Sequence, residues 1–198
     1  MIKTIIFDIG GVLTFTNFEA IYNDFAGKAG VSSELVVKYH RTHMDKLLLG
    51  ITSLEKFFAD MSAESGKSEV ILRQIWLEVS LPRRKANQEL LDLTADLRSK
   101  YSIGTLTNLS PHRKIMDEAM GLYSYFDYKV LSCDVGLKKP DPRFYNLALK
   151  VAGAEPEEAI FVDDYKGNVD AAESMGIKSI LYTDNVSFRR DLDIIIAS

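Results

Sequence analysis

Four separate stretches of this sequence place residues that can bind a phosphate or a cation after a short apolar run. The runs and the polar residues that follow them are 5–7 with Asp8, 102–106 with Thr107 and Asn108, 128–131 with Lys138 and Lys139, and 159–162 with Asp163 and Asp164. Ligands of a parallel sheet bind outside the carboxyl ends of its strands, so we expect these residues to meet at one sheet edge. Carboxylates, a hydroxyl, an amide and an ammonium are the groups that a magnesium-phosphate site requires.

The aspartate after the first run suits phosphoryl transfer. An aspartate can attack phosphorus to form an aspartyl-phosphate, which divides one difficult displacement into two easier ones. Several acids near a phosphate repel one another unless a cation neutralises them, and Mg²⁺ takes oxygen ligands. A hydroxyl, backbone amides and an ammonium aimed at the phosphoryl oxygens stabilise the charge of the transition state. Gly10 and Gly11, shortly after Asp8, allow the backbone to turn tightly around the bound group.

The apolar runs predict buried strands, and the segments between them predict helices. Residues 5–7 are β-branched or aromatic, which is typical of a strand buried on both faces of a parallel sheet. Comparable runs occur at 102–106, 128–131, 159–162 and 179–182. From residue 83 onward these runs alternate with segments of helical spacing. We therefore predict an α/β fold, a Rossmann-like parallel sheet with helices on both faces.

Residues 15–82 interrupt this alternation with four candidate helices and no strand. The apolar positions of the first candidate helix are Phe18, Ile21, Tyr22 and Phe25. Four consecutive amphipathic helices predict a small four-helix-bundle cap inserted directly after the first strand. The predicted division is an α/β hydrolase core formed by residues 1–14 and 83–198 and a helical cap formed by residues 15–82.

The composition of the chain argues against several classes of protein. Its 198 residues include 24 Lys and Arg against 28 Asp and Glu, and the net charge of −4 offers no basic excess for nucleic acid. The single cysteine, Cys133, excludes an internal disulfide. No apolar run approaches the roughly 20 residues of a membrane helix, and an acid interrupts the N-terminal apolar stretch, unlike a signal peptide. We expect a cytoplasmic protein without membrane or nucleic-acid partners. It should be a monomer or weak dimer, because no long apolar heptad pattern is present.

The order of these residues resembles the four motifs of the haloacid dehalogenase-like hydrolase superfamily. The similar segments, in the order of the motifs, are residues 5–14 (Ile-Ile-Phe-Asp-Ile-Gly-Gly-Val-Leu-Thr), Thr107-Asn108, residues 136–142 (Gly-Leu-Lys-Lys-Pro-Asp-Pro), and residues 161–164 (Phe-Val-Asp-Asp) with Asn168. They span nearly the whole chain, and the predicted cap lies where one cap class of the family carries it. The resemblance implies a magnesium-dependent phosphatase that hydrolyses a small phosphorylated metabolite through an aspartyl-phosphate.

The resemblance also implies a role for each matching residue. By position, the nucleophile is Asp8, the magnesium ligands are Asp8, Asp164 and the backbone carbonyl of Gly10, the substrate-binding residues are Thr107, Asn108 and Lys139, and the residues behind the metal ligands are Asp163 and Asn168. Lys139 would also act in catalysis, by neutralising the charges of Asp8 and the phosphate. Asp163 would act through a metal-bound water or through Lys139. Asn168 stands where many relatives carry another acid.

Gly10 departs from the pattern of most phosphatases in this family, which carry a second aspartate two residues after the nucleophile. That aspartate protonates the leaving group and then activates water, and such help is worth roughly 10²–10⁴-fold in rate. The sequence therefore predicts slow turnover, or a preference for leaving groups that need little protonation, such as a sugar 1-phosphate or an acyl phosphate. A similar Asp-x-Gly arrangement occurs in a branch that resembles bacterial sugar-1-phosphate phosphatases.

Two alternative functions are compatible with the same residues. A metal-independent 2-haloacid dehalogenase uses the same nucleophile and also lacks the second acid. Because such enzymes need no metal, the pair Asp163-Asp164 would then be out of place. The other alternative is a weakly active or non-catalytic phosphate-binding relative.

Three histidines and one basic stretch allow further interpretations. His40 and His43 are one helical turn apart, but no third metal ligand lies near them, which favours a polar face of the cap. His112 follows Thr107-Asn108 and either touches substrate or lies on a helix surface. The basic stretch at residues 83–85 indicates a solvated return from cap to core.

Overall fold

A five-stranded parallel sheet organises the computed structural model, which describes residues 1–197. In chain order the strands are β1 (Thr4–Phe7), β2 (Thr14–Thr16), β3 (Arg84–Ala86), β4 (Ser102–Thr107), β5 (Tyr128–Leu131), β6 (Ala159–Asp163) and β7 (Lys178–Leu181). The sheet has the order β5-β4-β1-β6-β7, and each neighbouring pair is parallel. The predicted α/β fold is confirmed. Because β1 is the central strand, the residue that follows it lies in the middle of the carboxyl edge.

Ten helices surround and extend this sheet within the described residues. They are α1 (Phe18–Ala29), α2 (Ser33–Leu48), α3 (Leu54–Ser65), α4 (Glu69–Ser80), α5 (Gln88–Leu97), α6 (Pro111–Ala119), α7 (Ser132–Val135), α8 (Pro142–Ala152), α9 (Lys166–Glu173) and α10 (Asn185–Ala197). Short 3₁₀ helices lie at Leu81–Arg83, Leu122–Tyr125 and Pro156–Glu158. Between residues 1 and 197, no helix joins enough length to enough apolar character to pass through a bilayer.

Polar side chains and glycines fix the ends of several helices. The side chain of Asn17 accepts a hydrogen bond from the Ala20 N–H at the start of α1, and Ser53 caps α3 in the same way. Asp141 accepts the Arg143 N–H at the start of α8, where Pro142 occupies the first turn. The loop that carries Lys139 therefore runs directly into a well-defined helix start.

The two faces of the sheet bury separate apolar cores. Ile5 and Phe7 pack with residues of α5 and α10, whereas Ile6 packs with residues of α8 and α9. This is the alternation that a strand imposes on its side chains, and it explains why β1 is apolar at every position. With both faces covered, only the ends of the central strands reach solvent.

Helices α1 to α4, here called the α1–α4 bundle, share a third apolar core. Its fully or nearly buried members include Phe25, Phe57, Phe58, Met61, Leu72 and Trp76. Contacts of α1 with α2 and α4, and of α3 with α4, hold the bundle together. The division of the chain at residues 15 and 82 into a cap and a core stays a prediction.

Strands β2 and β3 form a two-stranded antiparallel ribbon, here called the connector, that joins both ends of the bundle to the rest of the chain. Thr14 pairs with Ala86, and Thr16 pairs with Arg84. The sequence analysis did not predict this ribbon, because three-residue strands are too short to produce a pattern. It was also wrong about Arg84, whose side chain is not solvated. That side chain is fully buried against Asp117 of α6 at 2.5 Å, because the ribbon turns it inward.

Candidate active site

Asp8 lies at the centre of the carboxyl edge of the sheet, one residue beyond β1. Its N–H donates to the carbonyl of Val162 at 2.8 Å, which continues the ladder between β1 and β6 and fixes the backbone. The Lys139 ammonium lies 3.0 Å from Oδ1 of Asp8 and 2.6 Å from Oδ2 of Asp163. The Lys139 side chain is fully buried, so its charge is compensated by these two carboxylates rather than by solvent.

Asn108 fixes the loop that delivers Lys139. Its side-chain oxygen accepts the Lys139 N–H at 2.7 Å, and its Nδ2 donates to the Lys139 carbonyl at 3.0 Å. The Asn108 amide thus holds the loop of Lys139 in place, and its contact with the phosphoryl oxygens stays a prediction. Thr107, the last residue of β4, has a buried hydroxyl oxygen with no hydrogen-bond partner among residues 1–197. A buried hydroxyl of this kind is available to a ligand.

Three carboxylates meet beside Lys139. One oxygen from each of Asp8, Asp163 and Asp164 lies within 4.8 Å of the other two. Partial desolvation, reinforced by the charges of Asp8 and Asp163, raises the pKa of the Asp164 carboxyl. Burial also raises the pKa of Asp163, against the opposing influence of Lys139. The cluster thus holds more negative charge than its surroundings accommodate, which is the electrostatic condition for binding a divalent cation.

The environments of Asp163 and Asp164 differ. Asp163 is fully buried and accepts hydrogen bonds from the Asn168 side-chain amide at 3.0 and 3.1 Å and from the Tyr165 N–H at 2.8 Å, besides its contact with Lys139. Asp164 is exposed and faces Gly11, whose φ of +87° favours glycine. A Cβ at Gly11 would collide with the Asp164 carboxylate. Asp164 is therefore the acid that remains available to a cation, while Asp163 is committed to Lys139 and Asn168.

A cavity of about 400 Å³ opens above this cluster. It is lined by Asp8, Asn108 and Asp164 from the sheet edge, by Phe15 of the connector, by Phe18 at the start of α1 and by Arg113 of α6. The structure thus brings together the predicted residues Asp8, Lys139, Asp163, Asp164, Asn108 and Asn168 at one place.

Sequence reasoning missed Arg113. The available signal was its place in the first turn of α6, a helix that begins three residues after Asn108 and so must start near the carboxyl edge. The sequence alone did not indicate which side chain of that turn faces the cavity. The side chain of the preceding residue, His112, does not line this cavity and packs against the bundle instead.

His112 of α6 is buried against the α1–α4 bundle, which excludes the helix-surface interpretation. Its ring centroid lies 5.0 Å from that of Phe57, 5.5 Å from that of Phe58 and 5.2 Å from that of Trp76. Burial lowers the pKa of His112 to about 3, and nearby His40 acts in the same direction. The imidazole is therefore neutral at pH 7, and it connects α6 to the bundle as an aromatic side chain.

Acidification should destabilise the protein through His112. Between its unfolded pKa of about 6.5 and its folded value of about 3, the unfolded state binds a proton that the folded state excludes. Stability due to His112 is therefore complete above pH 6.5 and falls by up to about 1.4 kcal/mol per pH unit as the pH drops below it. We expect urea unfolding at pH 7, 6 and 5 to show this loss, and His112→Phe to lose less stability over the same range.

His40 supplies the internal comparison for this experiment. Burial lowers the pKa of His40 to about 4, so part of the acid sensitivity should persist in the His112→Phe protein. Identical pH dependence of the unfolding free energy in the two proteins would contradict a neutral, buried His112.

The chain was also compared with known proteins. Residues 2–176 match the family model of the haloacid dehalogenase-like hydrolases. The chain is 28% identical over 214 aligned positions to a D-ribitol-5-phosphate phosphatase of Bacteroides thetaiotaomicron, with 100% of both chains covered. It is also 33% identical over 120 residues to bifunctional epoxide hydrolase 2 of Rattus norvegicus, a match that covers 58% of this chain and 22% of that protein. The chain thus spans about a fifth of the rat relative.

The fold agrees with this family. A haloacid dehalogenase (HAD) family enzyme from Bacteroides thetaiotaomicron, solved in complex with magnesium and inorganic phosphate, superposes with a TM-score of 0.76. The alignment covers 93% of this chain and 96% of that one, at 21% sequence identity. At this identity the likeness establishes a shared fold.

Proposed function

Because the chain belongs to the haloacid dehalogenase-like hydrolases, we propose that it is a magnesium-dependent phosphatase of a small phosphorylated metabolite. The observation that carries the proposal is the arrangement of Asp8, Lys139 and Asp164. A carboxylate at the centre of the sheet edge is paired with one buried ammonium, and a second, exposed carboxylate lies within 4.8 Å of it. That combination can bind a dianion and attack its phosphorus, since the charges of attacker and target are both offset.

The residues at this place fit a divalent cation. Asp8 and Asp164, together with the backbone carbonyl of Gly10, would hold it. Because Gly11 has no side chain, the Asp164 carboxylate has room beside it; a Cβ there would collide with that carboxylate. Oxygen donors of this kind are what Mg²⁺ prefers. When bound, the metal would neutralise the carboxylates and polarise the phosphoryl oxygens. The complex of the Bacteroides enzyme with magnesium and phosphate supports this assignment by analogy of fold.

The chemistry then follows from the chain's own residues. An oxygen of Asp8 attacks phosphorus, the bond from phosphorus to the leaving oxygen breaks, and the phosphoryl group is held as an aspartyl-phosphate. Water then attacks the same phosphorus, and the bond to Asp8 breaks to release inorganic phosphate. Lys139 offsets the charge of Asp8 and of the phosphoryl oxygens, and the unpartnered hydroxyl of Thr107 is available to donate to one of those oxygens.

For the substrate we propose a phosphorylated carbohydrate of modest size. The cavity of about 400 Å³ admits such a molecule, and the Bacteroides relative is named for its action on ribitol 5-phosphate. Gly10 supplies no acid for the leaving group, which favours a sugar 1-phosphate over a primary alkyl phosphate. Both classes belong in the same assay.

The test is release of inorganic phosphate from glucose 1-phosphate, glucose 6-phosphate, acetyl phosphate and ribitol 5-phosphate, with magnesium or with a chelator. We expect release with magnesium, loss of at least roughly 10²-fold with the chelator, and faster turnover of glucose 1-phosphate than of glucose 6-phosphate. Chloride release from 2-chloropropionate that survives the chelator would instead establish the dehalogenase. Failure to release phosphate from any substrate, with phosphate binding retained, would favour the non-catalytic relative.

A further inference from the structure

Gly10 is not required by its backbone conformation. Unlike Gly11, it has no positive φ, so other residues can adopt its conformation. A larger residue at position 10 is instead obstructed by a neighbouring side chain. A Cβ built on Gly10 would overlap Nη2 of Arg113 and lie 3.2 Å from its Cζ. The guanidinium of Arg113 therefore occupies the space that a side chain at position 10 would fill, two residues beyond the proposed nucleophile.

Arg113 is a cation with unused hydrogen-bonding capacity. Its side chain makes no hydrogen bond or ion pair with residues 1–197, and its Nε is buried without a partner. It lies over the ring of Phe18, whose centroid is 5.8 Å from Cζ. The other buried cations near the site are already committed, Lys139 to two carboxylates and Arg84 to Asp117.

The guanidinium of Arg113 lies at the wall of the cavity, where it can donate hydrogen bonds to a substrate. The five donors of a guanidinium lie in a fixed plane. A buried donor without a partner is costly, so the unpartnered Nε points to a ligand that supplies an acceptor. The acceptor must lie above Gly10, on the side of Asp8 that opens to the cavity.

We propose that Arg113 is a catalytic residue that donates hydrogen bonds to the leaving-group oxygen of the phosphorylated substrate. The proposal rests on the phosphatase function proposed above. As the bond between phosphorus and that oxygen breaks, Arg113 stabilises the negative charge that develops there. The departing oxygen then takes its proton from solvent water, because the guanidinium retains its own.

This role has a signature that other roles of Arg113 lack. Electrostatic stabilisation of the leaving oxygen matters most when that oxygen is strongly basic, as in a primary alkyl phosphate. It matters least for p-nitrophenyl phosphate, whose leaving group departs as a stable anion. An arginine that bound the phosphoryl oxygens would aid all substrates equally, and one that bound a second anionic group would aid only doubly charged substrates.

The experiment compares kcat/KM of the unaltered chain and of Arg113→Gln for p-nitrophenyl phosphate, ribitol 5-phosphate and fructose 1,6-bisphosphate. We expect a fall of about 10²–10³-fold for ribitol 5-phosphate and of no more than about tenfold for p-nitrophenyl phosphate. An equal fall for all three, or a fall confined to the bisphosphate, would overturn the proposal. Arg190→Gln, which alters an exposed arginine paired with Asp191, is the matched control and should leave all three values unchanged.

A double substitution supplies a gain-of-function test. Because the three atoms nearest to a Cβ at Gly10 all belong to the guanidinium, an aspartate should fit there once Arg113 is shortened. We expect Gly10→Asp with Arg113→Ala to hydrolyse ribitol 5-phosphate at least tenfold faster than Arg113→Ala alone, by restoring a general acid. Gly10→Asp alone should displace the guanidinium, so its gain in rate over the unaltered chain should be smaller than the gain of the double variant over Arg113→Ala. Equal gains would show that the two side chains do not compete for the same space.

Folding and function are separated by two measurements. The melting temperature of Arg113→Gln should equal or exceed that of the unaltered chain, since the substitution removes a half-buried, unpaired charge. If the unaltered chain releases no phosphate from any substrate, the proposed function fails and this inference fails with it. If it does release phosphate and Arg113→Gln matches it on ribitol 5-phosphate, the inference alone fails.

Discussion

Replacing Asp8 by Asn is expected to abolish phosphate release while the protein stays folded. The amide has nearly the same shape, but it is a poor nucleophile and cannot form the proposed aspartyl-phosphate. Loss of a nucleophile typically costs on the order of 10⁵–10⁶-fold in kcat. The measurement is phosphate release at saturating substrate and magnesium, with circular dichroism to follow folding.

The control for this experiment is Asp92→Asn, the same change at an exposed acid of α5 that contacts Gln88. It should leave kcat within about twofold of the unaltered value, because a surface substitution away from the site changes little. Acid-quenched enzyme should carry covalent phosphate in the unaltered and Asp92→Asn proteins and none in Asp8→Asn. Residual turnover by Asp8→Asn above about 1% would assign the nucleophile to another residue.

Replacing Asp117 by Leu is expected to reduce the free energy of unfolding by about 3–5 kcal/mol. Asp117 and Arg84 form an ion pair in which both side chains are fully buried, with 2.5 Å between the charged groups. Arg84 also donates to the hydroxyl of Thr16 at 2.9 Å, across the connector. Removing Asp117 leaves the Arg84 guanidinium buried without its counter-charge, which costs far more than the pair itself contributes. Urea unfolding at pH 7 measures the loss.

The double variant Arg84→Met with Asp117→Leu is the companion to this prediction. An apolar pair of similar volume avoids the cost of burying two charges, so the double variant should be close to the unaltered stability or above it. The non-additivity itself is the result sought, since neighbouring residues in one network couple strongly. A double variant that is less stable than Asp117→Leu alone would show that the pair is needed for more than mutual neutralisation.

The sequence predicted the sheet well because its strands are buried on both faces. Residues such as Ile5, Ile6 and Phe7 are apolar in succession only where helices cover both sides, so the fold class was legible from the pattern. The positions of Asp8 and Asp164 followed from the same reasoning, because parallel strands deliver their last residues to one edge. Those predictions depend on short-range patterns and on topology alone.

Other features depended on packing between distant segments and were not predictable in this way. The inward turn of Arg84 is set by the register of the connector and by Asp117, 33 residues away. The hydrogen bonds between the Asn108 side chain and the backbone of Lys139 likewise depend on two loops that meet there. The burial of His112 required the bundle to fold over α6. None of these leaves a local periodicity.

One consequence follows from the neighbouring positions of His112 and Arg113. The His112 imidazole packs against Phe57, Phe58 and Trp76. The next residue in the chain is Arg113, whose guanidinium lies beside Gly10. A substitution of one of these three aromatic residues, which lie tens of residues away in the chain, should therefore displace the guanidinium. Relatives that differ at these aromatic residues can acquire a different substrate preference while their reactive carboxylates stay the same. Directed evolution of substrate preference could therefore start from these positions and leave the cavity lining unchanged.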